Sequence, residues 1–254
     1  MFSLSGKKGL IVGIANEHSL AYGCARAFRT TGADLAITHL NAKAEPFVRP
    51  LAESLQSPIF EPCDVTVDGE LEAVFEKIAK KWGKLDFVLH SIAYAKKEDL
   101  QGRIIDSSAD GFAFAMDVSV HSFLRMAKLS EPLMPRGGAL LAMSYYGAEK
   151  AIPHYNIMGP VKAALEAAVR YMSVELGAKQ IRVNALSPGP VKTRAASGIS
   201  DFGDLLQRAA EVSPEHRLVT PEDVGTYAAF LVSDAARSVT GNIAYVDAGY
   251  HVTG

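Results

Sequence analysis

The chain has 254 residues, of which 48% are hydrophobic and 21% are charged, a length and composition that one α/β domain with an apolar core and a charged surface can accommodate. Its formal net charge of −2 at pH 7 and its isoelectric point near 6.4 exclude a global basic attraction to nucleic acid or to an anionic membrane. Small-molecule chemistry is therefore the expected function class.

The cysteine content and the N-terminal segment indicate a cytoplasmic protein. Cys24 and Cys63 are the two cysteines, which is typical of a reducing compartment and not of a disulfide framework. Residues 1–8 lack the apolar stretch of a secretory signal, and no apolar run approaches the length of a membrane span. We therefore expect neither a membrane nor a nucleic acid as partner.

Short apolar segments of strand length alternate along the chain with segments of helical periodicity. Strands are predicted at residues 8–13, 34–39, 59–62, 85–91, 138–144, 181–186 and 243–247. Apolar runs without polar alternation are typical of parallel strands that helices cover on both faces. The pattern predicts an α/β fold, a Rossmann-like, doubly wound, seven-stranded parallel sheet with helices on both faces, in a single domain over residues 1–254.

The first strand runs into a turn of small residues and then into a helix, for which Gly32 is the predicted C-terminal glycine. Gly13, Ala15 and Ser19 lie in this turn, although their spacing is not G-x-G-x-x-G. A glycine at the turn and a free helix N-terminus favour a bound pyrophosphate. The alternative, that the glycine only permits a tight connection, stays open at this point.

Later strand ends add candidates for the same dinucleotide site, because the carboxyl ends of parallel strands meet at one edge of the sheet. The candidates that follow the third, fourth and sixth strands are Asp64, Val65, Ser91, Ile92, Ala93, Val191 and Thr193. An aspartate here can bind the adenine amino group, or it can be a turn-forming or helix-capping residue. The sequence favours neither interpretation of Asp64.

The second strand ends at His39-Leu40-Asn41. This end has neither an acidic residue for a ribose 2′-hydroxyl nor an arginine for a 2′-phosphate. We favour NAD(H) because no basic pair stands at the strand end. The nearby Lys43 keeps NADP(H) possible.

Residues 201–212 have helical periodicity, follow the loop 187–200 and join no strand directly. An inserted helix after the sixth strand of an open α/β sheet lies over the edge where ligands bind. The sequence therefore predicts a small substrate lid at about 195–212.

Two tyrosine–lysine spacings compete for the catalytic role, Tyr146-x₃-Lys150 and Tyr155-x₆-Lys162. Tyr146 comes too soon after the fifth strand, and Lys150 is expected in an exposed loop. Seven residues at about 100° each bring Tyr155 and Lys162 to nearly the same helix face, about 10 Å apart along the axis. Pro160 lacks an N–H group and is tolerated only in the first turn of a helix. Tyr155 is therefore expected at or just before the start of this helix.

The stretch from Ser144 to Gly159, together with Lys162, resembles the active-site segment of bacterial enoyl-(acyl-carrier-protein) reductases, NADH-dependent members of the short-chain dehydrogenase/reductase superfamily. The similarity covers nearly the whole chain, including the turn from Gly13 to Gly23, Arg182-Val183-Asn184 and Val246-Asp247-Ala248-Gly249.

This resemblance implies an oxidoreductase of fatty acid biosynthesis, a homotetramer that transfers a hydride from NAD(P)H to the β-carbon of a trans-2-enoyl thioester carried by acyl carrier protein. It implies Tyr145, Tyr155 and Lys162 as catalytic residues, with Ala95 beside both tyrosines at the substrate. Together with the strand ends, the expected cofactor residues are Gly13, Ser19, Leu20, Leu40, Asp64, Val65, Ser91, Ile92, Ala93, Lys162, Val191 and Thr193. No metal site is expected, since H-E-x-x-H and Cys-x-x-Cys motifs are absent from the sequence.

Several positions depart from the family's pattern. Tyr94 replaces the usual phenylalanine, Pro188 replaces an alanine, and Leu40 replaces a polar contact to the adenosine ribose. Pro160 and Val161 stand before Lys162 where smaller or less rigid residues are typical. These changes bear on coenzyme preference and acyl-chain selectivity more than on the catalytic pair.

Two other functions remain open from the sequence, a carbonyl-reducing short-chain dehydrogenase and a non-catalytic dinucleotide-binding protein. The intact Tyr155–Lys162 pair argues against the second, and its x₆ spacing argues against the first. Basic side chains that border the cleft can meet an acidic carrier protein or can be solvated surface charges; they are Lys96, Lys97, Arg103, Lys192, Arg194 and Arg208.

Overall fold

Seven parallel strands form one sheet in the computed structural model, which describes residues 2–191, 193 and 202–253. The strands are β1 (Lys8–Val12), β2 (Asp34–His39), β3 (Ile59–Pro62), β4 (Phe87–His90), β5 (Gly138–Met143), β6 (Ile181–Pro188) and β7 (Ile243–Val246). Their spatial order is β3-β2-β1-β4-β5-β6-β7, and all neighbouring strands pair in parallel. The predicted Rossmann-like sheet is confirmed.

Helices connect the strands. They are α1 (Leu20–Thr30), α2 (Glu45–Ser54), α3 (Glu70–Trp82), α4 (Lys97–Leu100), α5 (Ala109–Met116), α6 (Ser122–Ser130), α7 (Met158–Gly177), α8 (Phe202–Val212), α9 (Pro221–Val232) and α10 (Tyr250–Thr253). A π-helical turn, Asp117–His121, joins α5 to α6. None of the described helices combines the length and the apolar composition that crossing a membrane requires.

Two apolar layers hold the helices against the sheet, because neighbouring residues of a strand point to opposite faces. Ile11 of β1 packs in the layer formed with α1, α2 and α9, whereas its neighbour Leu10 packs in the layer formed with α3, α6 and α7. Both faces of β1 are therefore buried, which explains why the sequence of such a strand is a continuous apolar run.

Two helix ends show how the local sequence starts and stops a helix, and the predicted C-terminal glycine Gly32 is confirmed. Thr220 and Asp223 form a reciprocal capping box at the start of α9, with Pro221 as the first helical residue. Gly32 adopts a φ of +107° after α1, a conformation that glycine adopts without a steric penalty. Both cysteines fill the core, where burial raises the pKa of Cys24 and of Cys63 to about 12 and so keeps the thiols protonated.

The strand order reverses between β1 and β4, so the connections from these strands leave in opposite directions and open a crevice at their carboxyl ends. This crevice is where the predicted strand-end residues converge. The helix predicted at 201–212 is present as α8. Residues 194–201 lie outside the described residues; they include Arg194 and the first part of the predicted lid at 195–212. Lys192 also lies outside the described residues.

Candidate active site

A cavity of about 900 Å³ lies at the carboxyl ends of β1, β4, β5 and β6. Its lining contains all the cofactor and substrate residues expected from the sequence: Gly13, Ser19, Leu20, Leu40, Asp64, Val65, Ser91, Ile92, Ala93, Ala95, Tyr145, Tyr155, Lys162, Val191 and Thr193. Loops that are far apart in the chain are thus brought to one site by the strand ends that precede them.

The turn after β1 places the backbone directly against β4. Gly13 has a φ of +117°, and a Cβ at this position would lie 2.1 Å from the carbonyl oxygen of Ser91. The Ser19 hydroxyl accepts hydrogen bonds from the backbone N–H groups of Ala15 (3.0 Å) and Asn16 (3.1 Å), which fixes the loop before α1. Glycine is required here by both the turn and the close approach.

Replacing Gly13 with alanine is expected to lower the free energy of unfolding by about 1–3 kcal/mol through the clash, with about 1–2 kcal/mol more from the left-handed backbone. Gly102 is a matched control, because its φ is +104° and no atom lies within 4 Å of a built Cβ. Gly102→Ala should lose only the backbone contribution. Denaturant titration measures both; equal losses in the two variants would contradict the close approach at Gly13.

Uncharged side chains form the cavity wall at the end of β2, where Thr38 and Leu40 line it. Leu40 is 52% exposed. The Asn41 side-chain oxygen accepts from the backbone N–H groups of Lys43 (3.0 Å) and Ala44 (3.1 Å), so it is used in the turn before α2. Lys43 itself is exposed and is not part of the lining.

Asp64 lies at the cavity wall and also shapes its own turn. Its Oδ1 accepts from the Thr66 backbone N–H (2.9 Å) and from the Thr66 hydroxyl (2.6 Å), while Glu70 accepts from the Asp64 N–H (2.7 Å). The turn-forming interpretation is therefore confirmed. The position in the lining also leaves Asp64 available to a ligand.

Tyr145 and Tyr155 form the centre of the site. Their rings meet edge to face, with centroids 4.9 Å apart and planes inclined by 65°. The buried Tyr145 hydroxyl has no hydrogen-bond partner among the described residues, which is costly unless a ligand provides one. Burial raises the pKa of both hydroxyls above the usual value of tyrosine, so both stay protonated and able to donate.

Tyr155 precedes α7, as expected from Pro160, but the helical rotation predicted to connect it with Lys162 is wrong. α7 begins at Met158, with Pro160 in its first turn as expected. His154 and Asn156, on either side of Tyr155, adopt φ values of +64° and +43°, so the rotation of 100° per residue does not connect Tyr155 with Lys162. The two side chains nevertheless line the same cavity.

Lys162 is inside α7 and is buried, with 5% of its surface exposed. Its Nζ donates to the carbonyl oxygen of Met143 at the end of β5, at 2.6 Å. Burial lowers the pKa of Lys162 to about 8, against the influence of Glu166, which raises it. Lys162 is therefore a cation that is only partly stabilised by its surroundings and is open to an additional acceptor in the cavity.

The competing pair Tyr146–Lys150 lies away from the cavity, as predicted. The Tyr146 hydroxyl donates to the backbone oxygen of His251 (3.1 Å), and its ring packs among Tyr245 and Tyr250. Lys150 is exposed, and neither residue is in the cavity lining. The structure therefore places neither member of the x₃ pair at the cavity.

The mouth of the cavity is formed by residues that follow β4. Tyr94 packs edge to face on Phe114, with ring centroids 5.9 Å apart, and the ammonium of Lys96 lies 5.8 Å from the same ring. Asn156 donates to the backbone oxygen of Leu100 (2.5 Å) and so ties this segment to the turn that carries Tyr155. Phe114 and Leu100 were not among the residues expected from the sequence.

The sequence interpretation also missed three buried polar residues near Lys162: His90, Ser144 and Glu166. Glu166 lies one helical turn after Lys162, a spacing that places both side chains on one face of a helix. That spacing was the available signal. The other two residues are at strand ends, where nothing in the local sequence sets them apart.

Comparisons with known proteins identify the family of this chain. A family model described as enoyl-(acyl-carrier-protein) reductase matches residues 13–251. An enoyl-(acyl-carrier-protein) reductase of Rhizobium meliloti (strain 1021), whose name specifies NADH, is 47% identical over 99% of this chain and 92% of its own length.

Solved structures of the same kind superpose closely. The enzyme of Anaplasma phagocytophilum in complex with NAD has a TM-score of 0.95 and 49% identity, and the match covers 100% of this chain and 97% of that one. The enzyme of Bacillus cereus with NADP⁺ and an indole naphthyridinone has a TM-score of 0.97 and 43% identity, with 100% of both chains covered. By the extent of these matches, the chain belongs to the enoyl-(acyl-carrier-protein) reductase family.

Proposed function

We propose that the protein is an NADH-dependent enoyl-(acyl-carrier-protein) reductase that saturates a trans-2-enoyl thioester in fatty acid biosynthesis. The observation that carries the proposal is the placement of Tyr155, Lys162 and Tyr145 in one cavity while Tyr146 and Lys150 lie outside it. A proton-donating tyrosine beside a buried cation is what a developing oxyanion requires.

The cavity fits a nicotinamide dinucleotide. The backbone at Gly13 leaves no room for a Cβ, and it leads to the N-terminus of α1, whose free N–H groups favour a pyrophosphate. Asp64, Val65 and Ile92 are assigned to the adenosine end, and Val191 and Thr193 to the nicotinamide end. When bound, NADH supplies the hydride that reaches the β-carbon of the substrate.

Tyr155 is assigned as the hydrogen-bond donor to the thioester oxygen, which becomes an enolate oxygen as hydride arrives. Its raised pKa keeps the hydroxyl protonated. Lys162 is assigned to the ribose hydroxyls, and its positive charge stabilises the same oxyanion from nearby. Tyr145 and Ala95 contact the thioester end of the substrate, where the unpartnered Tyr145 hydroxyl gains a partner.

Product analysis tests this assignment of activity. Incubation of the protein with NADH and a trans-2-enoyl thioester should consume NADH and yield the saturated thioester, whose mass is two hydrogens higher than that of the substrate. Mass spectrometry after incubation with deuterated NADH should place one deuterium on the β-carbon. A parallel incubation with a β-ketoacyl thioester that placed deuterium on the oxygen-bearing β-carbon of a hydroxyacyl product would instead indicate a carbonyl reductase.

NADH is expected to be the better coenzyme. A 2′-phosphate at the end of β2 would meet the uncharged Thr38 and Leu40 and would lose hydration without gaining a basic partner. We expect kcat/KM to be about tenfold or more higher with NADH than with NADPH. Steady-state kinetics with both coenzymes measures this. A preference for NADPH that Lys43→Ala abolishes would reverse the assignment and identify Lys43 as the phosphate ligand.

The thioester is proposed to arrive on acyl carrier protein through the mouth formed by Tyr94 and Phe114. Lys96, Lys97 and Arg103 are exposed in the segment that follows β4, and positive charge there is proposed to attract an acidic carrier. The exposed Arg208 on α8 belongs to the same proposed surface. This docking role supports the carrier-bound substrate over a free thioester.

We also propose a homotetramer. Tyr171 and Val174 on α7 are 74% and 82% exposed, and large apolar side chains on one helix face are typical of subunit interfaces. Light scattering should give about four times the chain mass of 27.2 kDa. Val174→Arg should reduce the assembly, whereas Phe47→Arg, at an exposed position on the opposite face of the sheet, should not. An unchanged mass for Val174→Arg would contradict this interface.

A single domain over residues 1–254, with α8 in a small lid at about 195–212, and a cytoplasmic location complete the proposal. α8 is fastened at its end, where Ala209 packs with Tyr146 and Tyr250 and the Thr253 hydroxyl donates to the Val212 oxygen (2.8 Å). A lid attached at one end can move at the other. Slower amide exchange in α8 when NADH and a substrate analogue are bound would support it.

A further inference from the structure

Two polar side chains of α7 hold the carboxyl end of β5. Lys162 donates through Nζ to the Met143 oxygen, and one helical turn later Glu166 accepts a hydrogen bond from the Ser144 hydroxyl at 2.5 Å. Both α7 side chains are 5% exposed. Since Tyr145 follows directly, the two contacts fix the segment that carries an active-site tyrosine.

The charges of these two residues are complementary. A buried ammonium is unfavourable unless an opposite charge or hydrogen bonds compensate it. Glu166 is the anionic group that favours the charged form of Lys162. His90, on β4, also faces Lys162 but provides no negative charge, since burial lowers its pKa to about 3 and leaves it neutral, with Nε2 2.8 Å from the Ser122 hydroxyl.

The surroundings of Glu166 include both charged and neutral groups. Burial raises the pKa of Glu166 above its usual value, with a smaller contribution from Glu149, while the hydrogen bond from Ser144 and the charges of Arg170 and Lys162 on α7 favour the carboxylate form. Tyr155 and, on β7, Tyr245 face it as protonated hydroxyls, because burial raises the pKa of both and Glu166 adds a smaller contribution in the same direction. The same carboxylate therefore favours a charged Lys162 and a protonated Tyr155.

We propose that Glu166 is a positioning residue for hydride transfer: its carboxylate, held by the Ser144 hydroxyl one helical turn after Lys162, keeps Lys162 protonated so that it can bind the cofactor ribose. The inference rests on the role proposed above for Lys162. Glu166 itself lies behind Lys162 and is not in the cavity lining, so it acts through Lys162 without touching the cofactor.

The pH dependence of NADH binding tests the inference. In the wild-type protein, the affinity for NADH should be constant well below pH 8. It should fall as pH rises through about 8, where Lys162 of the protein without cofactor loses its proton. Glu166→Gln keeps an oxygen that can accept from Ser144 but removes the negative charge. The midpoint of the pH profile of NADH affinity should therefore move down by about one pH unit. At pH 6.5 the wild type and Glu166→Gln should then have similar affinities for NADH. At pH 8.5 the variant should bind NADH about five- to tenfold more weakly than the wild type.

Glu149→Gln is the matched control. It removes one negative charge near Glu166 from an exposed position, and its profile should follow that of the wild type. Fluorescence titration with NADH at each pH, on protein whose fold is verified by circular dichroism, gives the readout. Parallel profiles for wild type and Glu166→Gln would overturn the inference, because a merely structural role weakens binding equally at all pH values.

Two further variants cover the remaining outcomes. If Glu166→Gln does not fold, Ser144→Ala keeps both charges but removes the hydrogen bond to the carboxylate, and its midpoint should shift in the same direction by less. Lys162→Met should bind weakly without this pH dependence. Tight binding by Lys162→Met would refute the role of Lys162 itself, whereas weak binding with an unshifted Glu166→Gln midpoint would refute only the role of Glu166.

Discussion

Replacing Lys162 with methionine is expected to weaken NADH binding by about 10- to 100-fold, because a hydrogen bond to a charged group contributes about 1.5–3 kcal/mol. Methionine fills a similar volume but has no donor for the ribose hydroxyls or for the Met143 oxygen. Turnover should fall with binding, since the charge that stabilises the oxyanion is lost as well. Isothermal titration calorimetry with NADH measures the affinity directly.

Lys150→Met provides the matched control for this experiment. Lys150 belongs to the competing Tyr-x₃-Lys pair and is exposed outside the cavity, so its replacement should leave NADH affinity unchanged. A folded Lys162→Met protein with wild-type affinity would show that the ribose is held elsewhere. Loss of affinity in Lys150→Met would show that the wrong pair has been assigned.

Removing the hydroxyl of Tyr155 is expected to slow turnover by about 10²–10³ without abolishing it, the usual loss for one preorganised oxyanion donor. An enoyl reductase delivers hydride to carbon and stabilises a delocalised enolate, so the tyrosine acts chiefly as a hydrogen-bond donor. The nearby Tyr145, whose ring centroid is 4.9 Å from that of Tyr155, can replace part of this donation. Tyr155→Phe should therefore lower kcat while NADH still binds.

Tyr146→Phe is the control for Tyr155→Phe. The Tyr146 hydroxyl donates to the His251 backbone, away from the cavity. Its loss should lower the free energy of unfolding by about 1 kcal/mol and should affect turnover less. Steady-state kinetics on both variants separates the roles. A larger loss of kcat in Tyr146→Phe than in Tyr155→Phe would reverse the assignment.

Much of the fold could be predicted because a parallel sheet that helices cover on both faces has strands with a recognisable apolar sequence pattern. Both faces of the central strands are buried, so runs such as residues 9–12 and Gly138–Met143 are continuously apolar. Strand ends then indicated the site by a topological rule that needs no side-chain coordinates. The spacing pointed to Tyr155, whereas the expectation that Tyr145 also belongs to the site depended on the resemblance to a known family.

Backbone conformation around Tyr155 could not be predicted in the same way. A spacing of seven residues predicted that Tyr155 and Lys162 lie on nearly the same helix face, but the left-handed residues His154 and Asn156 interrupt the helical rotation between Tyr155 and α7. Asparagine and histidine adopt this conformation more readily than most residues, yet they also occur in helices. The local sequence therefore permitted both geometries, and packing against β5 and its following turn selected one.

Contacts between distant elements were also out of reach. The bond between Ser144 and Glu166 depends on how α7 lies across the end of β5, and the tie between Asn156 and Leu100 depends on the fold of the segment after β4. Neither partner carries a local signal for the other. For Asp64, the turn-forming and ligand-facing alternatives turned out to be compatible, because the residue both shapes its turn and lines the cavity.

Turnover of two thioesters of equal acyl length tests the central assignment most directly. The wild-type protein should oxidise NADH rapidly with the trans-2-enoyl thioester and hardly at all with the β-ketoacyl thioester, because the Tyr155–Lys162 site stabilises an enolate oxygen and need not protonate an alkoxide. Following NADH absorbance with each substrate measures this. Faster turnover of the β-ketoacyl thioester would contradict the account and identify the protein as a carbonyl reductase.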